Sequence, residues 1–76
     1  MKMNITQLKE QTSGVILDIH MDDQAKQHLA HVGLYEGAHI RMERSGKMGH
    51  PCTLLVCGNF LMLRFEDAMR IEVEEQ

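Results

Sequence analysis

Along "GVILDIHM", residues 14–21, the apolar positions Val15, Leu17, Ile19 and Met21 alternate with Asp18 and His20. A period of two with β-branched residues predicts a strand. The period then changes. In "DDQAKQHLAHVG", Ala25, Leu29 and Val32 fall at i, i+4 and i+7, one apolar stripe of a helix. Asp22 or Asp23 is placed to cap its start, and Gly33 to stop it. Period two returns in "AHIRMER", where Ile40 and Met42 alternate with His39, Arg41 and Glu43. "SGKMGHP" is rich in turn formers and predicts a loop.

Two further strand-like runs, "CTLLVC" and "FLMLRF", flank Gly58-Asn59, a pair that fits a two-residue type II′ hairpin turn with Gly first. That turn sets a register in which Cys57 faces Phe60, Val56 faces Leu61, Leu55 faces Met62 and Leu54 faces Leu63. "EDAMR" predicts a short helical turn, and "IEVEE" a last strand with Ile71 and Val73 inward. The elements therefore run strand, helix, then four strands. The expected core comprises Leu29, Leu34, Ile40, Met42, Cys52, Leu54, Val56, Leu61, Leu63, Ala68, Ile71 and Val73.

At 76 residues the chain is expected to be a single domain, 1–76, with residues 1–13 a partly mobile N-terminal segment. A chain this short buries only about 60% of its unfolded surface, which favours a binding module over an enzyme with a deep cleft. Its 8 Lys+Arg against 11 Asp+Glu give a net charge of −3. The basic residues are scattered singly, so nucleic acid is not an expected partner. No apolar run long enough to span a bilayer and no secretory apolar segment at the start can be read, so a cytoplasmic protein with reduced thiols and no direct membrane insertion is expected.

His50, Cys52 and Cys57 lie within eight positions of one another, a density that raises the question of a metal or redox site. In a hairpin, Cys52 and Cys57 differ by an odd number of positions and project to opposite faces. A shared ion needs both sulfurs about 2.3 Å away, so the stretch reads as a hairpin with Cys52 a small core residue and Cys57 outward. His28 and His31, one helical turn apart, read as solvated surface groups. The acids of "EVEEQ" read as a hydrated tail. No catalytic residue, cofactor-binding residue or metal ligand is expected, and no cofactor; metal binding at a surface histidine would be incidental. Gly46-Lys47-Met48-Gly49 matches the GXXG clamp of RNA-binding KH domains, but that clamp joins two helices and this one joins two strands. No phosphate-binding or dinucleotide loop motif is present.

Taken in order, Gly33-Leu34, Gly37, Ile40 and Met42, Gly49 with Pro51, Gly58, Leu61-x-Leu63-Arg64, Ala68, Ile71 and Val73 resemble the FeoA family over nearly the whole chain. The resemblance implies a mainly β fold with one short helix, a small five-stranded SH3-like barrel. It implies a cytoplasmic accessory protein of ferrous iron transport, without catalysis of its own, that docks on the FeoB membrane transporter and modulates iron uptake. The alternative is a stand-alone domain related to the SH3-like C-terminal domain of iron-dependent repressors, acting as a metal- or protein-binding regulatory module. Binding of proline-rich peptides is not expected, because one Tyr, two Phe and no Trp cannot line an aromatic groove.

Two departures from the family pattern matter. The family usually carries Pro-Gly where this chain has Glu10-Gln11, so the entry to the barrel is open to a different course. It also places apolar residues at positions matching Ile16 and Ile19, three apart, which conflicts with inward Val15 and Leu17 unless the first strand carries a bulge.

The outer face of the hairpin is the candidate partner-binding surface. Leu55, Cys57, Phe60 and Met62 are expected to point the same way there, available to the transporter or to a second copy of this chain. The competing reading covers that face with the N-terminal segment through Ile5 and Leu8. Tyr35 and Met48, at loop tips, are weaker candidates for the same role.

Overall fold

The computed structural model describes residues 2–76. Six antiparallel strands form one sheet: β1 (Lys2–Asn4), β2 (Ser13–Ile19), β3 (His39–Arg44), β4 (Cys52–Val56), β5 (Asn59–Leu63) and β6 (Ile71–Glu75). Their spatial order is β1-β6-β2-β3-β4-β5. Helix α1 (Asp23–His31) follows β2, and the single turn α2 (Phe65–Ala68) precedes β6. The fold is thus mainly β with little helix, as expected, but six strands replace five, and the sheet is open rather than a closed barrel. The added strand is β1, which pairs Met3 with Val73 along β6.

β1 was invisible to periodicity because three residues carry too little pattern. The turn after it does have a local cause. Asn4 accepts from the Thr6 amide at 2.9 Å while Gln7 accepts from the Asn4 amide at 2.9 Å, a reciprocal capping box that starts the 3-10 turn Ile5–Gln7. This turn drives Ile5 and Leu8 into the core, where they are 0% and 2% exposed. They do not cover the outer face of the hairpin.

The conflict in β2 is resolved by a bulge. Ile16 pairs with Val73 and Asp18 with Glu72, with a register shift between them. The extra residue resets the inward parity, so Ile16 and Ile19 are both buried while Val15 and Leu17 are only partly covered. Gln11 adopts φ 70 and donates its amide to the Met42 carbonyl at 2.7 Å. The chain thus enters β2 with a side chain in a conformation that favours glycine.

Helix α1 starts as expected: Asp22 accepts from the Ala25 amide at 2.9 Å. It ends in a Schellman motif, with Gly33 at φ 97 and the Leu34 amide bonded to the Leu29 carbonyl at 2.9 Å. No residue of the helix is fully buried; Leu29 packs on the core rim, and Val32, expected on the apolar stripe, is half exposed. The remaining expected core residues are buried, with Leu61 partly so.

The hairpin turn lies one residue earlier than expected. Val56 pairs with Asn59, so the turn is Cys57-Gly58, with φ 51 and 80. Two consecutive positive φ values mark a type I′ turn, in which Gly takes the second position. The observed pairs are Cys52 with Leu63, Thr53 with Met62, Leu54 with Leu61 and Leu55 with Phe60. Moving a hairpin turn by one residue moves every partner by two, which preserves the faces. Inward and outward patterning therefore could not separate the two registers.

Candidate functional site

Strand β5 lies at the edge of the sheet, paired only with β4. Natural edge strands usually carry a charge or a proline that discourages pairing with another chain. Asn59–Leu63, sequence NFLML, has neither. Phe60 and Met62 project from its outer face at 72% and 68% exposure. Their cross-strand neighbours are Leu55 and Thr53 on β4, both partly covered. The next pair along the same face joins Leu55 to Arg41 of β3, whose guanidinium is held by Glu43 at 2.9 Å and Gln11 at 2.6 Å. A tethered charge thus borders an apolar patch.

Of the residues singled out from the sequence, Leu55, Phe60 and Met62 come together on this face. Cys57 is exposed but sits in the turn itself rather than among the outward strand residues. It lines one end of an open groove of 470 Å³ between the hairpin and the C-terminal end of α1, with Val32, Gly33, Phe60 and Leu61. Val32, read from the sequence only as part of the helix's apolar stripe, thus contributes to this surface. Tyr35, half exposed, lines a separate recess with Lys26, Gln27, Ala30 and Leu34. Met48 projects from the loop between β3 and β4, where the Lys47 and His50 backbones bond to each other. Neither Tyr35 nor Met48 is in a recess shared with Phe60.

The two cysteines differ as their parity requires. Cys52 is fully buried, donates its thiol to the Leu63 carbonyl at 3.6 Å, and has its pKa raised by burial. Cys57 is free and exposed.

A second cluster was not read from the sequence. On the outer face of the β2–β6 pair, ligand atoms of Asp18, His20 and Glu72 lie within 4.8 Å of one another. The His20 Nε2 is 3.4 Å from Glu72 Oε1, and its Nδ1 is 3.8 Å from Asp18 Oδ2. Only the i, i+2 spacing of Asp18 and His20 was visible beforehand; Glu72 reaches them through the β2–β6 register, 52 residues on from His20.

The family model described as the FeoA domain matches residues 3–75. A crystal structure titled as an iron uptake regulatory protein (FeoA) superposes with a TM-score of 0.86 at 22% identity, over 100% of this chain and 99% of that one. The solution structure of FeoA from Chlorobium tepidum gives 0.85 at 23% identity, over 96% and 70%. IdeR from T. acidophilum gives 0.84 at 29% identity; it covers 99% of this chain, which spans 34% of IdeR. Comparison with curated proteins gave no match. Among the described residues, no helix is long and apolar enough to cross a membrane.

Proposed function

The chain belongs to the FeoA family, and on that premise we propose that it is a cytoplasmic accessory protein of ferrous iron transport. It docks on a FeoB-type membrane transporter and modulates iron uptake without catalysing a reaction. The observation that carries this reading is the outer face of the β4–β5 hairpin, where Phe60 and Met62 stand 72% and 68% exposed on an uncharged edge strand. A 76-residue protein has few apolar side chains to spare from its core. Large ones held outward on a well-paired strand are the usual material of an interface, Phe as an anchor and Met as an adaptable contact. Leu55 and the Val32 side of the adjacent groove extend the same surface. Cys57 borders it, and Tyr35 and Met48 serve as outlying contacts. The same face supports association with a second copy of the chain.

The test is the double substitution Phe60→Glu with Met62→Lys, measured by calorimetry against the purified cytoplasmic domain of the transporter and by sedimentation velocity for self-association. Fully burying such side chains stabilises by about 1.5–3 kcal/mol each, so affinity for the transporter domain should fall by at least about a hundredfold. The circular dichroism spectrum should stay native. Unchanged affinity sinks the docking surface, and loss of the native spectrum would place the patch in the core.

The likeness to IdeR over a third of that protein favours a second reading, a regulatory module that acts on a partner protein or metal apart from transport. Unchanged ferrous uptake in cells lacking this chain would select it.

A further inference from the structure

We propose that Asp18, His20 and Glu72 form a binding site for one divalent first-row transition-metal ion on the outer face of the β2–β6 pair. The bulge in β2 makes the site. Counting from buried Ile16 in strict alternation, Asp18 would point inward; the shift between Ile16 and Asp18 turns it outward, onto the face of His20, on either side of buried Ile19. Bulges commonly re-aim a side chain in this way. The same register sets Asp18 directly opposite Glu72. Three donors thus converge from β6, β2 and the residue that follows β2, beside an interior ladder of the sheet.

The spacing suits an ion. Ligands about 2.0–2.2 Å from a tetrahedrally coordinated metal stand about 3.4 Å apart, and His20 Nε2 lies 3.4 Å from Glu72 Oε1. The imidazole now lies between the two carboxylates, one nitrogen toward each. Its side chain is 58% exposed, so rotation about Cβ–Cγ brings one nitrogen to the space between them, and water completes the coordination shell. One imidazole with two carboxylates is a donor set for Fe²⁺, Mn²⁺, Co²⁺ or Zn²⁺, and a poor one for thiophilic Cu⁺.

Charge supplies an independent reason. Like charges directly opposite on paired strands are destabilising, yet Asp18 faces Glu72, with Glu74 two positions further along β6. The cation paired with this cluster is Lys2 of β1, whose ammonium is 3.9 Å from Glu72 and 76% exposed. A divalent ion neutralises this surplus where a lysine so exposed does little. Binding to the native state alone should therefore stabilise the fold by mass action.

The experiment uses the full chain, ¹⁵N-labelled and reduced, titrated with MnCl₂ in a Cys57→Ser background. Paramagnetic broadening should centre on the amides of residues 18–20 and 72 and saturate at one ion, and the thermal midpoint should rise with added Mn²⁺. His20→Ala and Glu72→Gln, both surface changes, should each weaken binding by about tenfold or more and abolish the thermal shift. The pair His28→Ala with His31→Ala should change neither. Broadening centred on the C-terminal acids or on α1, or full affinity in His20→Ala, would overturn the site. None of these outcomes touches Phe60 or Met62, so the docking reading stands or falls separately.

Discussion

Replacing Cys57 by Asn should make the protein more stable, although the thiol it removes is exposed. Cys57 opens the hairpin turn at φ 51, and Gly58 follows at φ 80. An L-residue with a Cβ held in the left-handed region costs about 1–2 kcal/mol. Asn enters that region far more readily than most residues, and Asn-Gly is the preferred type I′ pair. About half of the cost should be recovered, or about 0.5–1 kcal/mol. For a domain of this size that corresponds to a rise of about 2–8 °C in the thermal midpoint. Urea titration with an unchanged slope would confirm that stability alone has moved. The other register gives the opposite sign. If Gly58-Asn59 were the turn, Cys57 would end the strand in extended conformation, and Asn, a poor strand former, would destabilise it. Cys57→Val completes the pair, since a β-branched residue resists positive φ but favours a strand. A stabilised Cys57→Val together with a weakened Cys57→Asn would refute the turn described here.

Two further outcomes test the packing. A Cβ added at Gly46 would lie 2.6 Å from the His50 carbonyl oxygen and 2.7 Å from the Cys52 amide nitrogen, both backbone atoms; Gly46→Ala should therefore shift the 45–51 loop and lower stability by about 1–3 kcal/mol, read by urea titration. Burial raises the Cys52 pKa above its ordinary value of 9.0, so the native state holds this proton more tightly than the unfolded chain; its contribution is complete below pH 9 and fades as pH rises through the folded value. Cys52→Ala should lower stability at pH 7 but flatten the alkaline decline, and an equal decline in both proteins would contradict the assignment.

Most of the framework was legible because patterning and local signals agreed. Ile40 with Met42, Leu54 with Val56 and Ile71 with Val73 each alternate cleanly, and all are buried. Asp22 and Gly33 bounded the helix through local chemistry alone. What was missed depended on relations between distant segments. Ile5 and Leu8 belong to no periodic run, and only the Asn4–Gln7 capping box marked their turn. The closed barrel failed because whether β1 meets β5 depends on the curvature of the whole sheet, which no single strand encodes. The outer hairpin patch was found despite a misplaced turn, since the one-residue error left the faces intact. The Asp18, His20 and Glu72 cluster was missed because it exists only once the bulge and the β2–β6 register are known.

The distribution of apolar residues gives the outer face its meaning. Among the described residues fifteen side chains fill the core, and Ile5 and Leu8 are inserted from the N-terminal turn. Phe60 and Met62 stay largely exposed at 72% and 68%, although charged residues would serve the strand equally well and guard its edge. Apolar residues in this position contribute little to folding and raise the risk of aggregation. They are explained if the edge is covered in the working state, as the proposed docking requires. On the proposed reading the two outer faces divide the work: the hairpin would offer apolar contact to a protein, and the β2–β6 face carboxylates and an imidazole to an ion, from opposite parts of one open sheet.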